Sequence, residues 1–139
     1  MLLGLDIGTT AVKAVVLDPA GGLRGSASRA HDHASPAPAH SEADPADWLL
    51  GALATTGEAC SAAGIPPSAI EAVGVAGCVP CLVVLDADDR PLRPALLYND
   101  GRAGREIDEL AAELGPEAVL ARTGAGVTQQ STLSNIAIQ

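Results

Sequence analysis

The chain has 139 residues, a net charge of −9 and an apolar fraction of 47%. That length gives one domain-sized core, burying roughly 70% of the surface of the unfolded chain. The acidic balance argues against nucleic acid or an anionic membrane as the main partner. No apolar run reaches the ~20 residues of a membrane span, and a basic n-region at the start is lacking, so the expected compartment is the cytoplasm. Three cysteines do not make a disulfide framework and are expected to be reduced.

The chain opens on Leu2-Leu3-Gly4-Leu5-Asp6-Ile7-Gly8-Thr9-Thr10-Ala11-Val12-Lys13-Ala14-Val15-Val16-Leu17-Asp18. Two apolar, β-branched runs flank Asp6 to Thr10, which predicts strand, tight turn, strand. Asp6 ends the first strand with a carboxylate able to hold a cation or its water. Gly8 lets backbone approach a ligand closely. Thr9 and Thr10 add two hydroxyls and successive N–H groups, the parts of an anion nest. Lys13, the only lysine in the chain, adds positive charge. Together these groups suit a phosphate with Mg²⁺. The plain alternative is a β-hairpin in which Gly8 supplies a positive φ and the other residues are ordinary turn formers. A Walker A loop or Rossmann fingerprint is excluded, because each needs a helix directly after its glycines.

Pro19 to Gly22 is a turn, and Leu23 to Ala30 predicts a third strand, giving an antiparallel meander. His31 to His40 is a loop by its Pro, Ser and His content. Its three histidines beside Asp32 lack cysteine partners and helical spacing, so a solvated crossover is expected in place of a metal site. Asp44 is placed as an N-cap, with Pro45 at the first helical position and an acid in the first turn. Ala46, Leu49, Leu50, Leu53 and Cys60 follow a helical apolar stripe that Gly64 ends, and Trp48 is a packing residue.

Ile70 to Ala76 predicts a buried strand, and Leu82 to Leu85 another, closed by the turn 86–90. Between them, Cys78-Val79-Pro80-Cys81 has the form of a thiol redox pair. Such a pair needs its first cysteine at a helix N-terminus, whereas Leu82-Val83-Val84-Leu85 favours extended chain. Cysteines packed in a loop between strands are the simpler reading. Pro94 to Tyr98 is a short extended piece. Asn99-Asp100 is expected to cap a helix striped by Ala103, Ile107, Leu110, Ala111 and Leu114, ending at Gly115-Pro116. The order of elements gives α/β with a mixed sheet. The last stretch is polar until Ile136-Ala137-Ile138 and carries no stop signal, so the chain is expected to be cut.

Gly4-Leu5-Asp6-Ile7-Gly8-Thr9-Thr10, Ser41 to Trp48 and Leu92-Arg93-Pro94-Ala95-Leu96-Leu97-Tyr98-Asn99-Asp100-Gly101-Arg102 resemble the FGGY carbohydrate kinases, xylulokinases above all. The resemblance runs from Leu3 to about Gly124. It implies the ribonuclease-H-like mixed sheet of the actin, Hsp70 and sugar kinase superfamily, flanked by helices, with residues 1–139 forming the N-terminal part of the first kinase domain. The rest of that domain and the C-terminal ATP-binding domain would lie outside this chain.

By the same resemblance, the activity is ATP-dependent transfer of a γ-phosphoryl group to a ketopentose hydroxyl, with D-xylulose favoured over ribulose, glycerol or gluconate. Asp6 would orient Mg²⁺ through water, Gly8, Thr9 and Thr10 would cradle phosphates, and Lys13 would add charge. Val79, Pro80, Asp100 and Arg102 would line the sugar cleft. The family carries Met-His where this chain has Val79-Pro80, so its hydrogen bonding there differs. The family's base aspartate falls beyond Gln139, so these residues alone would not turn over. Expected partners are the sugar and ATP, with no nucleic acid or membrane; a homodimer is compatible with the resemblance. The rival readings are a non-sugar member of the superfamily, a non-catalytic scaffold, and a redox module on Cys78 and Cys81.

Overall fold

The structure, a computed structural model, describes residues 1–138. It divides into two units: Met1–His33 with Asp44–Cys78, and Ala34–Ala43 with Val79 onward.

The first unit is a sheet with one helix. Strands β1 (Leu2–Ile7), β2 (Ala11–Leu17) and β3 (Leu23–Ala30) form the expected meander. The chain then returns through helix α1 (Pro45–Ala62) to strand β5 (Ala72–Gly77), which pairs parallel with β1. The sheet order is β3-β2-β1-β5. Alternation along β2 sends Val12, Ala14 and Val16 inward, all nearly inaccessible, and Lys13 outward. Burying each valine contributes about 1.5–3 kcal/mol. Leu3, Ala59 and Cys60 complete this core.

α1 starts as its sequence dictates: Asp44 is the N-cap, its Oδ1 accepting the Ala46 N–H at 2.9 Å. Gly64, at φ +69°, takes the left-handed turn that ends it. Its buried face differs from the leucine stripe expected. Leu49, Leu50 and Leu53 are 62–64% exposed, while Gly51, Thr55, Ala59 and Cys60 are buried. The reason is close approach. A Cβ on Gly51 would lie 3.0 Å from Val12 Cγ2, and one on Gly25 of β3 would lie 2.6 Å from Ala63 N and collide with Ala59 O. Small helix residues let the valines of the sheet fill the gap, and the leucines face outward. The Thr55 hydroxyl, buried in this contact, donates to Gly51 O at 2.8 Å.

β5 also departs from expectation. It is exposed along its whole length, with Val73 and Val75 at 55% and 65%. It is one of the two edge strands of this sheet, paired only with β1 among the described residues.

The second unit is knit from two distant pieces of chain. Strand β4 (Glu42–Ala43) pairs antiparallel with strand β6 (Ala95–Leu96), and Leu97 N–H bonds Ser41 O. Leu82–Leu85 contributes only isolated bridges, Leu82 to Leu96 and Leu85 to Pro91, where a strand was expected. The turn that follows is closed by Asp86, whose Oδ1 accepts the N–H groups of Asp88 and Arg90. Three helices follow: α2 (Gly104–Leu114), α3 (Pro116–Thr123) and α4 (Thr132–Ala137). Asp100 does not cap α2, which begins four residues later behind Ala103 without a side-chain cap. Its carboxylate is committed elsewhere, as described below. Gly115, at φ +76°, ends α2, and Pro116 at once begins α3.

Candidate functional site

In the first unit the turn Gly8–Thr10 joins β1 to β2 and is closed by Gly8 N–H to Ala11 O at 3.0 Å. Gly8 does not adopt a positive φ. Its requirement is space, because a Cβ there would stand 3.0 Å from Ala11 O. The β1–β2 register sets Asp6 opposite Lys13, and Lys13 Nζ lies 3.7 Å from Asp6 Oδ2, with the Asp6 side chain 51% exposed. Both groups project from the sheet surface opposite α1, as the alternation of β1 and β2 requires. An accessible carboxylate oxygen at a strand end is a donor suited to a hard divalent cation or its water. The lysine beside it supplies a compact, mobile positive charge. Thr10 is exposed and Thr9 half-buried.

His31 contacts this turn and was not foreseen among its functional groups. The β2–β3 register ends with Ala11 opposite Ala30, which brings the next residue against Thr10. His31 N–H donates to Thr10 O at 3.0 Å, and its ring Nε2 lies 2.9 Å from Gly8 O. The half-buried ring therefore corrects the expectation of a solvated histidine loop at this position. The only signal in the sequence was its place directly after a strand that pairs with the strand leaving the turn.

In the second unit Asp100 is wholly buried. Its Oδ2 accepts the Ser41 N–H at 2.7 Å and Arg102 Nη2 at 2.7 Å. Its Oδ1 accepts Arg102 Nε at 2.8 Å and the Arg102 N–H at 3.1 Å. Arg102 Nη2 also donates to Glu42 Oε1 at 2.6 Å, and Arg93 lies 3.6 Å from the same oxygen. Burial alone would raise the Asp100 carboxyl, but the Arg102 guanidinium and the Ser41 and Arg102 amides outweigh it and hold it below the usual carboxylate range. The same carboxylate, aided by Glu42 and against the effect of burial, raises the Arg102 guanidinium. Every strong acceptor site of Asp100 is thus engaged within the protein. The pair braces the segment from Ala39 to Ala43 against the loop at Gly101, whose N–H bonds Ala39 O at 2.7 Å. Val79 is 79% exposed and Pro80 half-buried. The segment after Cys81 is extended, and no helix starts there among the described residues. A thioredoxin-type thiolate needs such a helix.

The chain as a whole is similar to known proteins. The family described as "FGGY family of carbohydrate kinases, N-terminal domain" matches residues 1–137, and the chain belongs to it. A xylulose kinase of Streptomyces coelicolor is 40% identical over 125 residues, 89% of this chain and 25% of that protein. One of Staphylococcus xylosus is 30% identical over 135 residues, 97% of this chain and 28% of that protein. The crystal structure of a xylulose kinase from Rhodospirillum rubrum superposes with a TM-score of 0.91 at 40% identity, covering 96% of this chain and 28% of that one. The mixed sheet with its opening meander is accordingly the ribonuclease-H-like fold of the actin, Hsp70 and sugar kinase superfamily. The chain spans under a third of the length of these relatives.

Proposed function

We propose that residues 1–139 are the N-terminal part of the first domain of an ATP-dependent carbohydrate kinase that phosphorylates a ketopentose, D-xylulose first among candidates. The observation that carries this reading is the turn from Asp6 to Lys13. It sets an accessible carboxylate, a side-chain-free glycine, two threonines and an ammonium group on one strand–turn–strand, in a chain 40% identical to a xylulose kinase.

Phosphoryl transfer asks the protein chiefly for positioning and charge neutralisation. Asp6 would orient a Mg²⁺ ion through water. When bound, that ion neutralises charge on the phosphate oxygens. Thr9 and Thr10 offer hydroxyl and backbone N–H donors to the phosphates. Gly8 leaves room for their approach while its own N–H closes the turn on Ala11 O, and Lys13 adds charge beside them. Val79 and Pro80 present an apolar, non-ionisable surface to one side of the sugar. Asp100 and Arg102 would act on the sugar side by bracing the backbone, since their polar groups are already bonded to each other and to Ser41 and Glu42. The general base would come from residues outside 1–139.

The test is ADP release by the intact gene product with Mg-ATP across D-xylulose, D- and L-ribulose, glycerol and gluconate. Stimulation by one ketopentose is the expected result. ATP bound without stimulation by any of these would place the acceptor elsewhere, and failure to bind ATP would remove the kinase reading.

A further inference from the structure

We propose that His31 is a positioning residue for the phosphate turn, aiming the Thr9 N–H through its hold on the Gly8 carbonyl; this rests on the nucleotide reading above. A carbonyl oxygen only accepts, so the 2.9 Å contact from His31 Nε2 to Gly8 O requires the proton on Nε2. The other ring nitrogen, Nδ1, is buried and without a partner. The ring thus keeps one hydrogen bond at the expense of leaving the second nitrogen dry, an arrangement that calls for an explanation.

Peptide geometry supplies one. The Gly8 carbonyl and the Thr9 N–H belong to one planar trans unit and point in opposite directions. Fixing the carbonyl on His31 therefore turns the Thr9 N–H away from the ring, the direction in which the nucleotide reading would place a phosphate oxygen. The His31 N–H bonds Thr10 O as well, so one residue grips the carbonyls of Gly8 and Thr10, the first and last residues of the turn. Glycine at position 8 makes this grip necessary. With no Cβ, the Gly8–Thr9 peptide rotates readily, and a rotated peptide would present its carbonyl to the phosphate.

The test uses the intact gene product with three substitutions. His31→Leu keeps bulk without a donor. His31→Gln returns an amide N–H at the reach of Nε2. His31→Asn is too short to reach Gly8 and replaces the leucine variant should that one not fold. The expected result is a KM for Mg-ATP raised about tenfold in His31→Leu or His31→Asn, the order of one hydrogen bond to a charged group, with His31→Gln within about threefold of the parent. KM for the acceptor stays unchanged, a split that a general loss of folded protein would not produce. Wild-type KM for Mg-ATP in a folded variant lacking the donor, or no rescue by glutamine, overturns the proposal while leaving the kinase reading intact. A parent protein that binds no Mg-ATP removes both.

Discussion

The Arg102 guanidinium grips Asp100 with two prongs, Nε 2.8 Å from one carboxylate oxygen and Nη2 2.7 Å from the other. Asp100 is fully buried and the Arg102 side chain is 15% exposed. Truncating one partner of such a pair leaves a buried charge uncompensated, at a cost of about 3 kcal/mol or more. Arg102→Ala is expected to accelerate amide exchange at Ser41 and Gly101 about a hundredfold. Arg102→Lys keeps the charge without the fork and is expected to fall between the two. Unchanged protection in Arg102→Ala would mean that the network does not brace this segment.

The same pair sets an acid dependence. The folded Asp100 carboxyl sits below its ordinary value, so its contribution is fully present above the unfolded carboxylate range, about pH 4, and is lost as pH falls through the lower folded value. Thermal unfolding of the intact protein should change little on this account between pH 7 and pH 5. It should weaken below about pH 4. Asp100→Asn should be less stable at neutral pH and show a shallower acid decline. An identical decline in both proteins would assign it to other carboxylates.

The orientation of α1 is open to test by size. Gly25→Ala drives a methyl into Ala59 O and Ala63 N, and Ala59→Leu overfills the same contact. Each is expected to cost about 1–3 kcal/mol. Leu53→Ala removes far more apolar surface, yet from an exposed position, and should cost under about 0.5 kcal/mol. Chemical unfolding followed by far-UV circular dichroism ranks the three. The reverse ranking would turn the helix over.

Asp6 and Lys13 separate stability from chemistry. Their ion pair is exposed, and such pairs contribute about 0–1 kcal/mol. Lys13→Ala should therefore leave the melting temperature almost unmoved while lowering kcat at least tenfold, with Asp6→Asn lowering kcat and raising the Mg²⁺ concentration needed for half-maximal rate. Turnover equal to the parent in both variants would detach this turn from phosphate binding.

Local chemistry made much of the fold readable in advance. Two apolar, β-branched runs flanking a short turn marked the first strands, the more polar Leu23–Ala30 falls at its observed limits, and Asp44-Pro45 marked the start of α1. What escaped depended on neighbours. Ile70 to Ala76 reads as a buried strand, yet burial is decided by what covers a strand, and β5 (Ala72–Gly77) sits exposed at an edge. Leu49, Leu50 and Leu53 outweigh Gly51 and Ala59 in any hydropathy pattern, while backbone proximity to Val12 and Gly25 chose the smaller face. Pro116 reads as a stop for one helix and serves as the first residue of the next. At the site, Asp6, Gly8 and Lys13 were evident because they are close in sequence. Asp100 suggested a helix cap because its true partners, Ser41 and Arg102, include one 59 residues away. His31 escaped because only strand register brings it to the turn.

That separation also sets a schedule. Ser41 and Glu42 meet Asp100 and Arg102 only when residues up to Arg102 exist, and Arg102 lies 60 positions after Glu42. At ribosomal speeds of about 5–20 residues per second, Glu42 waits roughly 3–12 seconds after its own synthesis for the guanidinium it binds. The meander, whose strands follow one another directly, closes in the meantime. Nascent chains of this protein should accordingly gain protease resistance in two stages, the meander and α1 first, and the Asp100 brace only after its arginine has left the exit tunnel.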